Sequence, residues 1–385
     1  MKILVVGAGV FGAWTAYHLR RAGHEVVLLE QYGPANSRAS SGGESRIIRA
    51  RYADDALLTG MALRSLALWK EFFARCERQQ LFKRVGALWM ARESDPRLAA
   101  HVRTLRSAGA EVQELGNAEL RRRYPQIAID AEVAAIFEPD AGALMARQAV
   151  QALVAQFVED GGTYLQAKAQ APQGAGALSA IDTDQGRLQA DAFVFACGPW
   201  LKTVLPGLLG QKIFPTRQAV FFYGAPPGDA RFTAAQLPAW GDAFSDLPWY
   251  GLPDLESRGF KLAYGWLGED FDPDRGDRQP TQDETERARQ YLARRFPALA
   301  DAPLLEMRVC QYENTSDSQF LIDRHPGFDN AWIAGGGSGH GFKHGPAVGE
   351  YVAARVLGAA TPGVEARFSL ESKGTSLPPR TAQRP

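Results

Sequence analysis

A glycine fingerprint close to residue 1 limits the folds open to this chain more than any other feature. Apolar and β-branched residues predict buried strands over 3–6 and 26–29, with a helix over 10–22 between them. Three glycines with the spacing G-x-G-x-x-G follow the first strand: Gly7, Gly9 and Gly12. Such glycines allow a tight turn and close approach of a pyrophosphate, and a carboxylate such as Glu30 can accept ribose hydroxyls. The unit predicts dinucleotide binding and leaves FAD and NAD as alternatives.

A second glycine-rich turn lies towards the other end of the chain. It follows a predicted strand over 331–334 and precedes a predicted helix over 346–357. Its five glycines let the main chain approach a flat ligand, although a flexible loop has the same composition. Another predicted strand, over 192–196, runs into Cys197 and Gly198. Turns at both ends of the chain favour a long cofactor that is held from two sides.

Composition excludes several other classes of protein. The 385 residues carry 43 basic and 43 acidic side chains, so no net charge attracts nucleic acid or an anionic membrane. Three cysteines do not make a disulfide scaffold, six histidines lack metal-site spacing, and no apolar run of about 18 residues spans a membrane. The glycines also interrupt the apolar N-terminal stretch, which argues against a secretory signal. We expect a cytoplasmic protein without metal, nucleic-acid or membrane partners.

The nucleotide-binding segments lie at both ends and in the middle of the chain. Between them, residues 220–268 are aromatic, rich in turns and strand-like, and helices are predicted over 143–159 and 281–296. The pattern predicts an α/β fold with an interleaved β-rich part.

Several short segments occur in the order found in one group of flavoenzymes. They are residues 7–12 (GAGVFG), 45–49 (SRIIR), 196–200 (ACGPW), 259–262 (GFKL), 310–312 (CQY) and 339–343 (GHGFK). On these segments the chain, from residue 1 to about residue 372, resembles the FAD-dependent amine oxidases of the D-amino-acid-oxidase superfamily. The resemblance is strongest to the sarcosine and N-methyltryptophan oxidases.

The resemblance implies an α/β fold in which a discontinuous Rossmann-like FAD-binding domain is interleaved with an antiparallel-sheet α+β substrate domain. The expected segments are 1–80, 143–215 and 315–372 for FAD binding, and 81–142 and 216–314 for the substrate domain. Residues 373–385 are expected to form a loose tail. The resemblance further implies a monomer.

Three residues match positions at the flavin in this family. Cys310 matches the cysteine that holds the flavin 8α-methyl group through sulfur, although a lone cysteine is by itself more often a small buried hydrophobe. Arg46 matches an arginine beside the flavin ring. Lys261 matches a lysine that promotes reaction with O2, where a cation stabilises the charge of superoxide. The complete set expected to bind FAD is Gly7, Gly9, Gly12, Glu30, Arg46, Gly198, Cys310, Gly337, Gly339, Gly341 and Lys343.

Arg49 and Lys343 match the pair that binds the substrate carboxylate. A guanidinium can bind a carboxylate through two hydrogen bonds, and an ammonium adds a point charge. From the residues alone, Arg49 also suits a surface arginine in a basic stretch with Arg46 and Arg51, and Lys261 suits a solvated strand lysine. Tyr312 resembles a tyrosine of the substrate pocket, and a core aromatic residue is its alternative. Lys261, Arg49, Lys343 and Tyr312 form the expected catalytic set.

The chain departs from the sarcosine enzymes at two places. Gly265 stands where those enzymes carry a histidine, and Ser41-Gly42 replaces a histidine-rich dipeptide. Missing side chains leave space for water, a neighbour or a ligand, so we expect a substrate larger than sarcosine. Four aromatic residues could line the space, although strand alternation lets only some of them face it: Trp249, Tyr250, Tyr264 and Trp266. Collapse of one ring into the gap would instead keep the pocket small.

The resemblance implies a flavoprotein oxidase that converts a carboxylated secondary amine, an N-alkyl or cyclic amino acid, to an imine while O2 becomes H2O2. An FAD-dependent dehydrogenase with a quinone or protein acceptor is one alternative. A non-catalytic FAD-binding module is another. An NAD-linked dehydrogenase is disfavoured because the sequence holds no second fingerprint for a second dinucleotide.

Overall fold

The structure is a computed structural model that describes residues 1–245, 247–265, 268–359 and 365–378. Its strands, in chain order, are β1 (Lys2–Val6), β2 (Glu25–Glu30), β3 (Arg46–Ile48), β4 (Phe82–Lys83), β5 (Ala87–Arg92), β6 (Gln113–Leu115), β7 (Val133–Glu138), β8 (Gly142–Leu144), β9 (Thr163–Gln166), β10 (Ala180–Thr183), β11 (Gly186–Gln189), β12 (Ala192–Phe195), β13 (Phe214–Tyr223), β14 (Ala239–Asp242), β15 (Trp249–Leu252), β16 (Phe260–Tyr264), β17 (Leu304–Asn314), β18 (Leu321–Arg324) and β19 (Ala331–Gly335). Its α-helices are α1 (Val10–Arg21), α2 (Ala56–Arg75), α3 (Pro96–Ser107), α4 (Asn117–Arg123), α5 (Ala146–Glu159), α6 (Leu201–Val204), α7 (Pro206–Leu209), α8 (Gln282–Arg295), α9 (Gly345–Val356) and α10 (Glu365–Phe368).

The fingerprint strand β1 lies inside a six-stranded sheet with the order β18-β19-β12-β1-β2-β9. β1 pairs in parallel with β2 and β12, and β18 runs antiparallel to β19. Residues on both faces of β1 are buried, which explains the unbroken apolar run in the sequence. Helices α1 and α9 pack against each other at one face, and Gly349 allows their close approach, since a Cβ there would lie 2.6 Å from the Cβ of Trp14.

An eight-stranded sheet with the order β17-β13-β16-β15-β14-β5-β7-β6 forms the second large layer. Neighbouring strands are antiparallel apart from the parallel pair β14 and β5. On one face Trp240, Leu262 and Phe221 pack with Leu292 of α8 in an apolar core. Since side chains alternate along each strand, the other face presents a different set, which includes Tyr250 and Cys310.

A small sheet with the order β3-β8-β4 fixes the strand that carries Arg46. The helix predicted over 143–159 begins only at Ala146, because residues 142–144 pair as β8 with β3 and β4. Gly142 permits this pairing, since a Cβ there would lie 2.1 Å from the carbonyl oxygen of Lys83.

The predicted α/β fold, with a parallel nucleotide-binding sheet and an interleaved antiparallel sheet, is confirmed. The strands of the six-stranded sheet lie within 1–80, 143–215 and 315–372, and β13 of the other sheet begins at Phe214, two residues before the expected boundary. The division into two domains stays a prediction. Lys373, expected in the loose tail, is buried with its Nζ 2.7 Å from Asp317 Oδ2, whereas residues 379–385 lie outside the described ranges.

None of the helices in the described ranges has the length and apolar character that crossing a bilayer requires.

Candidate active site

A cavity of about 550 Å³ is bordered by strands of both large sheets and by the segment around β3. Nearly all residues of the expected site border it: Gly7, Gly9, Glu30, Arg46, Arg49, Gly198, Lys261, Cys310, Tyr312, Gly337, Gly339, Gly341 and Lys343. Gly12 lies behind the first turn, because a Cβ there would be 1.8 Å from the carbonyl oxygen of Gly7. The fold therefore brings segments from the whole chain to one cavity.

The first turn is built by close contacts of the main chain. Gly7 has a φ of +107°, and a Cβ on it would lie 2.4 Å from the carbonyl oxygen of Ala196. Gly9 differs, because its added Cβ would meet nothing closer than Ser41 Oγ at 3.6 Å. The carboxylate of Glu30 accepts the Ala8 N–H at 3.0 Å, so this side chain also holds the turn. Its contact with a ribose stays a prediction.

The second turn encloses a buried carboxyl group that sequence reasoning did not single out. Glu313 Oε1 accepts the N–H of Gly336 at 2.7 Å, and a Cβ on Gly335 would lie 2.3 Å from the same oxygen. Gly198 has a φ of +56°, and a Cβ on it would lie 3.7 Å from Glu313 Oε2. Burial raises the pKa of Glu313 to about 8, so the carboxyl is largely protonated at neutral pH. Its signal in the sequence is weak, since it stands next to Tyr312 on the opposite side of β17.

Three expected flavin residues meet at the end of β3. Arg46 donates to the carbonyl oxygens of Ser40 and Ser45, and its Nη2 lies 3.4 Å from Cys310 Sγ. Lys261 Nζ donates to the same Ser45 carbonyl at 2.7 Å. Burial, and secondarily the charge of Arg46, holds the pKa of Lys261 well below its usual range. Lys261 is therefore buried and hydrogen-bonded, which corrects the alternative of a solvated strand lysine.

Arg49 and Lys343 both lie against one aromatic ring. The guanidinium carbon of Arg49 is 4.6 Å from the ring centre of Tyr52, and Lys343 Nζ is 5.2 Å from the same centre. Lys343 is buried and donates to the carbonyl oxygen of His340 at 2.9 Å. Burial and the nearby charges of Arg49 and Arg51 hold the pKa of Lys343 well below its usual value. The surface alternative for Arg49 is wrong, because the side chain borders the cavity.

Aromatic residues form one wall of the cavity. Tyr250 borders it, and its hydroxyl lies 3.0 Å from the hydroxyl of Tyr312. In the strand register Gly241 lies between Tyr250 on one neighbouring strand and Trp89 on the other. The ring of Trp89 occupies the space that a Cβ on Gly241 would fill. The wall is therefore continuous across three neighbouring strands.

The other expected aromatic residues have different positions. Tyr264 lies on the opposite face of the sheet, where its hydroxyl donates to Glu284, and it does not belong to the cavity lining of the described residues. Trp249 borders the cavity, but its ring stacks on Tyr291 at 4.4 Å in the core. Trp266 lies outside the described residues.

The two glycines that depart from the family pattern are not equivalent. Gly265 borders the cavity, and its added Cβ would meet nothing closer than the carbonyl oxygen of Pro248 at 3.5 Å. A Cβ on Gly42 would lie 1.9 Å from the carbonyl oxygen of Asn36. The expectation that Gly42 leaves space in the pocket is therefore wrong, since its side chain would point into the main chain of a turn.

The sulfur atoms of the two remaining cysteines contact main-chain carbonyl oxygens. Cys197 Sγ lies 3.5 Å from the carbonyl oxygen of Val6, and burial raises the pKa of this thiol. Cys76 follows α2 and contacts the carbonyl oxygen of Phe73. In the described ranges no three side chains of histidine, cysteine, aspartate or glutamate come together as a metal site would require.

Sequence reasoning also missed three residues at the far end of the cavity. Arg51, Trp89 and Glu138 border it beside Arg49. The i, i+2 spacing of Arg49 and Arg51 could have indicated a shared side of an extended segment. Trp89 and Glu138 come from strands that pair only in the folded chain, so no local signal marks them.

The chain is similar to known enzymes along most of its length. The family model described as FAD dependent oxidoreductase matches residues 2–355. The peroxisomal sarcosine oxidase of Mus musculus is 31% identical over 90% of this chain and 90% of its own. The monomeric sarcosine oxidase of Bacillus sp. (strain B-0618) is 29% identical over 93% of each chain, and the N-methyl-L-tryptophan oxidase of Salmonella arizonae is 27% identical over 91% and 93%.

A solved structure supports the same fold. L-proline dehydrogenase from P. horikoshii superposes with a TM-score of 0.83 at 22% identity, and the match covers 96% of this chain and 96% of that chain. At this identity the likeness concerns the fold alone.

The second and third glycines of the fingerprint, Gly9 and Gly12, should respond differently to substitution. Gly12→Ala should destabilise the protein by about 3 kcal/mol or more even without FAD, because its Cβ would overlap the Gly7 carbonyl oxygen. Gly9→Ala should leave the free energy of unfolding of the apoprotein nearly unchanged and should lose most of the bound FAD, because its methyl group occupies open space beside the turn. Urea unfolding and FAD content after purification measure both effects. Equal stability loss in the two variants would contradict this assignment.

Proposed function

The chain belongs to the FAD-dependent oxidoreductases, and on that premise we propose that it oxidises a carboxylated secondary amine to an imine with O2 as the electron acceptor. The observation that carries the proposal is the meeting of Arg49, Lys343, Lys261 and Cys310 in a single cavity. The similar enzymes from Mus musculus and Salmonella arizonae are named for sarcosine and N-methyl-L-tryptophan, which are both N-methyl amino acids.

The cavity fits the FAD that the family implies. At the first turn, Gly9 leaves open the space that a side chain would fill, and Gly337 does the same at the second turn, with its added Cβ 3.6 Å from the nearest atom. The half-buried thiol of Cys310 faces the cavity from β17. Gly7, Gly9, Glu30, Gly198, Gly337, Gly339 and Gly341 would hold the dinucleotide, and Arg46, Cys310 and Lys261 would lie at its flavin.

FAD, when bound, would supply the redox chemistry, which is acceptance of a hydride equivalent from the carbon next to the amine nitrogen and reduction of O2 to H2O2. The residues of the chain position the amine for that transfer. Arg49 and Lys343, which both lie beside Tyr52, would bind the substrate carboxylate and so fix the orientation of the carbon to be oxidised. The rings of Tyr250, Tyr312 and Trp89 exclude water from the same region.

Charge balance supports the carboxylate. Burial and the neighbouring guanidinium groups hold the pKa of Lys343 below its usual range, and a bound carboxylate would favour the protonated ammonium. An amine without an acid group would leave the Arg49 guanidinium in a cavity without an added anion. The open space at Gly265 supports a substrate larger than sarcosine.

We further propose that the protein is cytoplasmic and acts as a monomer. Cys76, Cys197 and Cys310 are all free, which suits a reducing compartment, and the Bacillus relative is named as a monomer.

The proposed reaction is tested by absorbance scans of the yellow holoprotein under anaerobic conditions. Sarcosine, N-methyl derivatives of larger amino acids, cyclic imino acids and the matching amines without a carboxylate would be added in turn. We expect a larger carboxylated amine to bleach the flavin and air to restore it. Bleaching without recovery in air would indicate a dehydrogenase, and no bleaching by any amine would support a non-catalytic module. Best activity on sarcosine would refute the size argument, and equal activity without the carboxylate would refute the role of Arg49 and Lys343.

Cys310 should hold the flavin covalently. Its thiol borders the cavity, and its sulfur lies 3.4 Å from the guanidinium of Arg46, which the resemblance also places at the flavin. Acid precipitation should leave yellow colour in the pellet of the unmodified protein and of Cys76→Ala, and should release it from Cys310→Ala. Colour in the supernatant of the unmodified protein would contradict the prediction.

Lys261 should affect flavin reoxidation more than flavin reduction. Lys261→Met should slow reoxidation by several orders of magnitude, because the first electron transfer to O2 creates a negative charge that the ammonium stabilises. The ammonium is present below the pKa of Lys261 and is lost above it, and burial lowers that pKa. Reoxidation should therefore decline as the pH rises, at a lower pH than a free lysine would give, and should be slow at every pH in Lys261→Met.

Stopped-flow measurements of the two half-reactions across pH would test this role. Lys202→Met, which removes an exposed lysine of α6, is the matched control and should follow the unmodified protein. Slower reduction with unchanged reoxidation in Lys261→Met would assign the residue to the other half-reaction.

A further inference from the structure

Arg51 is a buried cation at the end of the cavity that the proposed reaction does not use. The residue is 5% exposed, and it borders the cavity together with Arg49, Trp89 and Glu138. Its guanidinium carbon lies 3.1 Å from the ring centre of Trp89, so the charge is stacked on the aromatic wall. Burial, and secondarily the charge of Arg49, holds the pKa of Arg51 well below its usual range, but a guanidinium starts from so high a pKa that it stays protonated in proteins.

Among the described residues, the side chain of His101 lies within hydrogen-bond distance of the Arg51 guanidinium, but it does not accept a hydrogen bond from it. Arg51 Nη1 lies 3.4 Å from Nε2 of His101. His101 Nδ1, however, accepts the N–H of Ala53 at 2.6 Å, and burial with the charges of Arg51 and Arg49 lowers the pKa of His101 to about 2. The neutral ring must therefore carry its proton on Nε2, so two donors face each other there. Within the described residues, the Arg51 guanidinium has no hydrogen-bond acceptor.

Charge around Arg51 is also unbalanced. Among the described residues no carboxylate forms an ion pair with Arg49 or Arg51. Glu138 is the nearby acid, but its Oε2 accepts the N–H of Ala50 at 2.7 Å, its Oε1 has no partner, and burial raises its pKa. Arg97, which also borders the cavity, has Asp95 as its own counter-ion. Two permanent positive charges thus share one end of the cavity.

A purely structural role does not account for this arrangement. Stacking on an aromatic ring recovers only part of the free energy that removing an unpaired charge from water costs. Even an exposed arginine such as Arg103 forms an ion pair with a carboxylate, that of Asp54. An anion that enters the cavity would supply the acceptor that Arg51 lacks.

We propose that Arg51 binds a second carboxylate of the substrate, so that the preferred substrate is a secondary amine with two acid groups. Arg49 and Lys343 hold the first carboxylate, next to the carbon that is oxidised, and Arg51 holds the second against Trp89. N-Alkyl derivatives of acidic amino acids and N-carboxyalkyl amino acids have this chemistry. The inference rests on the proposed amine oxidation for the reaction, but its binding component is measurable without turnover.

The test compares acids with isosteric amides in the holoenzyme. N-Methyl-L-glutamate is paired with N-methyl-L-glutamine, and N-methyl-L-aspartate with N-methyl-L-asparagine, in anaerobic flavin reduction. Glutarate and succinate, paired with butyrate, are non-reactive ligands whose binding is followed by the change in flavin absorbance. The variants are Arg51→Met, Arg51→Lys and, as a matched control, Arg103→Met.

In the unmodified protein and in Arg103→Met, we expect the better diacid to exceed its amide partner by about 100-fold in the rate of reduction at low concentration. Arg51→Met should retain FAD and should remove this preference for both substrates and ligands. Arg51→Lys should keep part of it, because the ammonium retains the charge and loses the paired hydrogen bonds.

Three results would overturn the assignment. They are a diacid no better than its amide in the unmodified protein, a preference that persists in Arg51→Met, and loss of FAD from Arg51→Met, which would assign Arg51 to the cofactor. If no amine reduces the flavin but dicarboxylates bind in an Arg51-dependent way, the proposed reaction fails while the second carboxylate site stands.

Discussion

The architecture of this protein depends on a close approach of main chain at the first turn. Gly7 passes so near to the carbonyl oxygen of Ala196 that a Cβ would lie within 2.4 Å of it, and its own N–H donates to Leu29. This contact ties β1 to β2 and to the end of β12 at one edge of the six-stranded sheet. The second glycine turn follows β19, which pairs with β12, and therefore arrives at the same edge. Segments more than 300 residues apart in the chain thus border one cavity.

The cavity then concentrates positive charge where water is scarce. Lys261 and Lys343 are buried, and for both of them burial is the main reason for a lowered pKa. Burial removes these ammonium groups from water, and without an anionic partner this is unfavourable for folding. At Lys343 the arrangement suits an anion such as the carboxylate of the proposed substrate, which would supply the missing partner. Burial of the two lysines therefore lowers the free energy of unfolding at a site where the proposed reaction requires them.

The sequence predicted the parts of the site that have local signatures. The fold class and the glycine turns agree with expectation, because short motifs with fixed spacing carry them. The structure also brings Arg49, Lys343 and Cys310, which the resemblance singled out, to one cavity, and their roles stay predictions. Which of the four aromatic residues face the pocket could not be predicted, and Tyr264 faces away from it, because the face that a strand residue presents depends on register with distant strands. The surroundings of Arg51 are set by Trp89 on β5 and His101 on α3, and the chain joins these only after folding.

Ser45 connects the residues expected at the flavin with those expected at the substrate carboxylate. Its carbonyl oxygen accepts hydrogen bonds from both Arg46 and Lys261, and β3 leads directly into Arg49 and Arg51. A substitution that moves this segment to accommodate a different amine therefore also moves the acceptor that positions Lys261. On the proposed roles of these residues, substrate range and reaction with O2 are therefore coupled through one carbonyl oxygen.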